Sequence, residues 1–207
     1  MLTALLGVAL TFFFIKESQK KRELRLILPR RFDIFSSSYA DDRLAEVNLH
    51  KLRTVLLPDG DFEVRLWIGF GLNGDDCLIL RYFSGQWSAL HLQGMAEAPP
   101  FPNTLAPLPP PKSGWNKTWQ KLIDAGILRL PDADEVKCNP RVLDGISFVV
   151  ESNINMIYRS YAYPNPWYDN PPFYKRCNEA EQMILIGWTI GEEFGLEQFD
   201  LSEAQVK

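Results

Sequence analysis

Residues 62–93 read FEVRLWIGFGLNGDDCLILRYFSGQWSALHLQ, and the fold class turns on how this stretch is parsed. In FEVRLWIGFG (62–71), Val64, Leu66, Ile68 and Phe70 alternate with Arg65, Trp67 and Gly69, which is the period of two expected of a strand. Asn73-Gly74 is a hairpin dipeptide, CLILRYFS (77–84) returns, Gly85-Gln86 turns again, and WSALHLQG (87–94) forms a third arm. The reading is a three-strand antiparallel meander.

The flanks extend it. Upstream, SSSYADD offers caps for a short helix carrying Leu44 and Val47, and RTVLL reads as a further strand ending at the Pro58-Asp59-Gly60 turn. Downstream, residues 96–114 hold seven of the chain's 15 prolines and are expected to lie extended as a connector, neither helix nor central strand. WNKTWQKLIDAG (115–126) places Trp115, Trp119, Leu122 and Ile123 on one helical face, with Gly126 as its stop. DGISFVVESN and INMIYRSYAY form a second hairpin, with its pivot expected at Ser152-Asn153. A last helix starts at Asn178, with Glu181 completing a capping box, and runs through Met183, Ile184, Ile186, Trp188 and Ile190 towards Phe194. The expected class is α+β: an antiparallel sheet, meander plus hairpin, covered by helices on one face.

The first 40 residues read differently. Residues 2–15 form a charge-free, largely apolar run, carried by Leu2, Leu5, Leu6, Val8, Leu10, Phe12, Phe13, Phe14 and Ile15. As a helix it spans about 21 Å against a hydrocarbon core of roughly 30 Å, a short membrane anchor that snorkelling can extend. Seven of the 22 Lys/Arg but two of the 26 Asp/Glu lie in residues 16–31, so a basic collar precedes an acidic body. That asymmetry does not suit a general nucleic-acid binder. Lys16, Lys20, Lys21 and Arg22 are placed to meet lipid headgroups, and with no charge before the run the positive-inside rule puts the head on the cytoplasmic side. The competing reading is a cleaved signal peptide and a secreted or periplasmic domain, although no small-x-small site follows the run. The domains are then an anchor (1–15), a basic linker (16–40) and one globular unit (41–207).

Nothing in the sequence names a reaction. HExxH, P-loop and GxSxG patterns are absent, and the cysteines Cys77, Cys138 and Cys177 have neither metal-site nor framework spacing. Three reduced thiols are the first reading, and a Cys138–Cys177 bridge is the alternative in an oxidising compartment. His91 reads as a half-buried strand histidine. Asp75-Asp76, the Asp132/Asp134/Glu135 group and Glu192-Glu193 read as solvated surface. A catalytic reading rests on Asp144, Glu151 and Arg159, which the second hairpin could approach; a cross-strand ion pair is the plainer role. No cofactor or metal is expected.

The stretch YRSYAYPNPWYDNPPFYKRC (158–177) carries the functional expectation. A strand presenting Arg159, Tyr161 and Tyr163 runs into a proline-stiffened loop with Trp167, Tyr168, Phe173 and Tyr174. Rigid aromatic and Arg side chains are the residue types that anchor protein interfaces. The sequence therefore points to a non-catalytic accessory or assembly subunit, docking onto a membrane complex through this surface. The alternatives are a secreted or periplasmic ligand binder and an enzyme of unknown class.

Overall fold

The computed structural model describes residues 25–27, 41–71, 74–94, 104–138, 146–170 and 174–199. Its centre is one sheet. The expected meander appears as β2 (Phe62–Gly71), β3 (Gly74–Phe83) and β4 (Gln86–Gln93). The expected hairpin is β6 (Ser147–Ile154) and β7 (Ile157–Pro164). With β1 (Arg25–Ile27) and β5 (Thr104–Pro107) the order is β1-β7-β6-β2-β3-β4-β5. Strands β2 to β7 are all antiparallel to their neighbours, while β1 runs parallel to β7. The proline-rich connector supplies β5 at an edge, beyond which no strand lies among the described residues, a position that tolerates the missing N–H of Pro107.

Both faces of this sheet are buried, which corrects the expectation of cover on one side. On the first face Val64, Leu66, Ile68, Leu78, Leu80, Phe148 and Val150 pack with Leu122 of α1 (Trp115–Ala125) and Met183, Ile186 and Ile190 of α2 (Asn178–Phe194). On the second face Trp67, Cys77, Ile79, Leu92 and Val149 pack with Leu44 from the helical residues 41–46. A strap of residues 41–57 lies over this face. RTVLL belongs to it and forms no strand: Leu52–Thr54 is a 3-10 turn, with Leu52 buried and its carbonyl accepting from Asn153 Nδ2 at 3.1 Å.

Other expectations move by a few residues for identifiable reasons. The second hairpin turns at Asn155-Met156, both at positive φ (51° and 60°), as a two-residue primed turn demands. Ser152 and Asn153 are buried inside β6, and Asn153 is committed to the strap. Helix α2 is capped by Cys177, whose Sγ accepts from Ala180 N at 3.3 Å, so the capping box from Asn178 does not form. Trp188 and Leu185 point outward from α2 instead of into the core. Gly187 faces inward because a Cβ there would lie 3.1 Å from the Phe148 ring. The anchor residues and the basic collar from Lys16 to Arg22 lie outside the described residues. Among the described residues no helix is long and apolar enough to cross a membrane.

Glu193, expected at the surface, is buried and joins the two helices. It accepts from Ser113 N and Ser113 Oγ, each at 2.8 Å, and pairs with Lys121. Burial alone would raise its pKa, but these donors outweigh burial and pull the carboxyl down to about 2. A depressed folded pKa stabilises the fold above the unfolded value near 4.5, and that stabilisation is lost as pH falls towards 2. Glu193→Gln is therefore expected to lower the thermal midpoint at pH 7 and to flatten the loss of stability between those two pH values. An unchanged slope in that window, by calorimetry, would contradict the linkage.

Candidate docking site

Strand β7 delivers the aromatic stretch, and its register decides which side chains it can show. Ile157, Arg159, Tyr161 and Tyr163 share the helix-covered face, because their β6 partners Ile154, Ser152, Val150 and Phe148 do. The segment that follows α1 crosses over them. Tyr161 OH donates to Ile127 O and Tyr163 OH to Pro131 O, both at 2.8 Å, and both rings are buried. Arg159 donates to the Leu128 and Leu130 carbonyls and lies over the Tyr161 ring, 5.0 Å from its centroid. Burial drives both phenol pKa values well above their ordinary range. Arg159, Tyr161 and Tyr163 are thus spent internally, and their expected display is corrected: each phenol found a carbonyl left open by the irregular backbone after α1.

Beyond Pro164 the rings are less enclosed. Trp167, Tyr168 and Tyr174 are half-buried, and Phe173 lies outside the described residues. Asn165 opens the loop by accepting from Ile146 N through Oδ1 and donating its own N–H to Ile146 O. Arg176 closes it: its Nη2 donates to Trp167 O at 2.6 Å and its backbone N–H to Asp169 Oδ1. Asn170 and Tyr174 exchange backbone hydrogen bonds at 2.9 Å, and the Tyr168 and Tyr174 rings touch with centroids 5.6 Å apart. Trp167 meets Phe148 edge-on. A disulfide between Cys138 and Cys177, with Cα atoms 5.9 Å apart, ties the end of this loop to the turn after α1. The reduced-thiol expectation gives way to its alternative for these two cysteines, and Cys77 is free and buried. The result is a stapled lip with three partly exposed aromatic rings.

The cluster behind the catalytic reading is not assembled. Glu151 faces the strap, opposite in direction to Arg159, and accepts from Trp67 Nε1 at 2.8 Å and Tyr158 OH at 2.6 Å; Asp144 lies outside the described residues. Around Glu151 the second face holds a polar group that sequence reading missed. Glu63 accepts from Arg65 Nε at 2.6 Å and Arg81 Nε at 2.7 Å, and Arg65 Nη2 reaches His50 O. Burial opposes the Arg65 charge, but Glu63 and Glu151 outweigh it and raise its pKa. The only sequence signal was polar residues at inward positions of β2. Asp132 is likewise buried, accepting from Ala162 N and Asp134 N; its carboxyl pKa is raised, since burial outweighs those bonds. His91 sits 3.0 Å from both Asp76 Oδ1 and Gln198 Nε2, the satisfied histidine expected, though with a carboxylate the sequence spacing did not reveal.

No family model, curated protein or solved structure matches the chain.

The bridge joins cysteines 39 positions apart. Cross-linking a loop of that length restricts the unfolded chain by about 4 kcal/mol. The double variant Cys138→Ser/Cys177→Ser is expected to melt roughly 8–16 °C lower, on the scale for domains of this size. A change within a degree or two would show that the lip does not depend on the staple.

Proposed function

We propose that this chain is a membrane-tethered, non-catalytic docking subunit whose stapled lip meets a protein partner. The observation carrying the reading is that Trp167, Tyr168 and Tyr174 remain partly exposed on a loop fixed by the bridge, the Arg176 hydrogen bonds and the Asn170–Tyr174 pair. Loops pay ordering entropy on binding. A preformed aromatic lip avoids most of that cost, and large rigid rings contribute most binding energy per residue. Residues 2–15 supply the tether.

The bridge argues for the side. Disulfides persist in oxidising compartments, so the head belongs on the exported side, against the cytoplasmic orientation that the basic collar favours. The collar acts through orientation statistics, whereas the bridge is part of the packed fold and caps α2. The same bridge also fits a secreted domain with a cleaved signal, and the intact mass of the native protein separates the two: retention of residues 1–15 supports the tether.

For the lip, Tyr168→Ser and Tyr174→Ser are expected to leave the thermal midpoint within a few degrees of wild type, whereas Trp167, which packs on Phe148, is left in place. Each is expected to weaken partner retention on co-purification in mild detergent, since truncating an interface anchor costs about 2 kcal/mol or more. The opposite pattern, a large drop in melting temperature with retention intact, would make the lip a lid on its own core.

A further inference from the structure

The end of the sheet away from the lip has its own surface. By register, Ile157, Ile154, Phe62, Tyr82 and Trp87 form one row across β7, β6, β2, β3 and β4. Helix α1 lies along this row: Trp119 stacks on Phe62 with centroids 5.0 Å apart, and Trp115 stacks on Trp87 at 5.7 Å. None of these rings is fully buried, and Ile157 is 39% exposed. Leu56, at the end of the strap and two residues before the turn into β2, is 55% exposed. Two exposed aliphatic side chains and the partly exposed edges of these stacked rings thus lie around one end of the domain.

The chain enters at this same end. Arg25 pairs with Ile157 and donates its N–H to Met156 O at 2.9 Å. Because β1 runs parallel to β7, Arg25, its first residue, lies at the end of the sheet that carries the aromatic row. Nine residues separate Ile15 from Arg25, a leash of about 30 Å at full extension. The lip begins beyond the opposite end of β7, a strand of 8 residues that spans about 23 Å.

We propose that the aromatic row is the membrane-facing base of the head, resting in the interfacial layer of the bilayer that residues 2–15 enter. This rests on the tether reading above and adds an orientation to it. Trp and Tyr favour the headgroup region, where an apolar ring body and a polar tip are both satisfied. The charges nearby are mixed, with Arg25, Lys117 and Asp59 all exposed, so ring insertion drives the contact rather than attraction to anionic headgroups. A second copy is the rival occupant.

The test uses the full chain reconstituted in phosphatidylcholine vesicles, with a polarity-sensitive fluorophore on Gln86→Cys at the base or on Asn170→Cys at the lip. Both positions are exposed, so neither label disturbs the core. Brominated acyl chains are expected to quench the label at 86 at least twofold and leave the label at 170 unchanged. As a check without labels, they should quench native tryptophan emission less in Trp87→Phe/Trp115→Phe than in Trp167→Phe/Trp188→Phe. Equal quenching at both labels, or none while the protein resists carbonate extraction, overturns the orientation and leaves the tether standing. Loss of the protein to carbonate with no quenching removes tether and base together. An emission change at 86 on concentrating the protein in detergent, with no lipid dependence, assigns the surface to a second copy.

Discussion

The structure depends on the pairing of β2 with β6. Without it the chain is two separate strand systems, a meander before the proline-rich connector and a hairpin after it, each too small to bury a core. Eight register pairs, from Phe62↔Ile154 to Gly69↔Ser147, join residues more than 75 positions apart into a single sheet. Only this union makes a face wide enough for α1 and α2 to lie side by side, and Glu193 then fastens them. It also sets β2 in the middle, with a strand on each side, so that both of its faces must be covered. The strap of residues 41–57 is the answer to the second face.

That face is covered at some cost. Arg65 and Glu151 are direct cross-strand partners, with Glu63 and Asn153 beside them, and all four are almost entirely buried. Burying ions is unfavourable unless each is paired and hydrogen-bonded. The network meets most of that demand: Glu63 takes two guanidinium donors, Glu151 takes an indole and a phenol, and Asn153 holds two strap carbonyls. Arg65 Nη1 and Asn153 Oδ1 have no protein partner, the kind of pair that an enclosed water satisfies. An apolar replacement could be as stable. What the polar version adds is register, since sliding β2 by one residue would turn Arg65 and Glu63 into the helix-covered core and strand both charges.

The same physics explains what was legible. Alternation in residues 62–93 gave the meander, because hydrophobic period is a local property, and Gly126 marked the end of α1, because a left-handed cap needs glycine at its φ of 96°. Cover on the second face was not legible. Its inward positions, Glu63, Arg65 and Glu151, carry charges that read as solvent-facing, and their partners lie two to 84 residues away. The Ser152-Asn153 pivot failed for a related reason. Both are good turn formers, yet the tertiary demand of the strap outweighed that preference and moved the turn to Asn155-Met156. In the aromatic stretch, composition marked the residues but could not distinguish Tyr161, whose hydroxyl meets Ile127 O, from Tyr168 on the lip. The Cys138–Cys177 pairing was legible as an alternative, with separation alone unable to choose it.

The strand direction gives the domain its polarity. Antiparallel strands put turns at both ends, and here the two ends differ in kind. One gathers the entry of the chain, the primed turn at Asn155-Met156 and the aromatic row beneath α1. The other gathers the bridge, the Arg176-closed loop and the three partly exposed lip rings. Helix α2 also joins them, running from its Cys177 cap at the bridge to Phe194, whose ring centroid lies 6.1 Å from that of Trp115, and the sheet itself is a spacer of one strand length. Under the proposed tether and docking role, a domain built this way would hold its lip at a fixed height above the membrane, with the ordering entropy of that placement met once, in folding, instead of at each encounter.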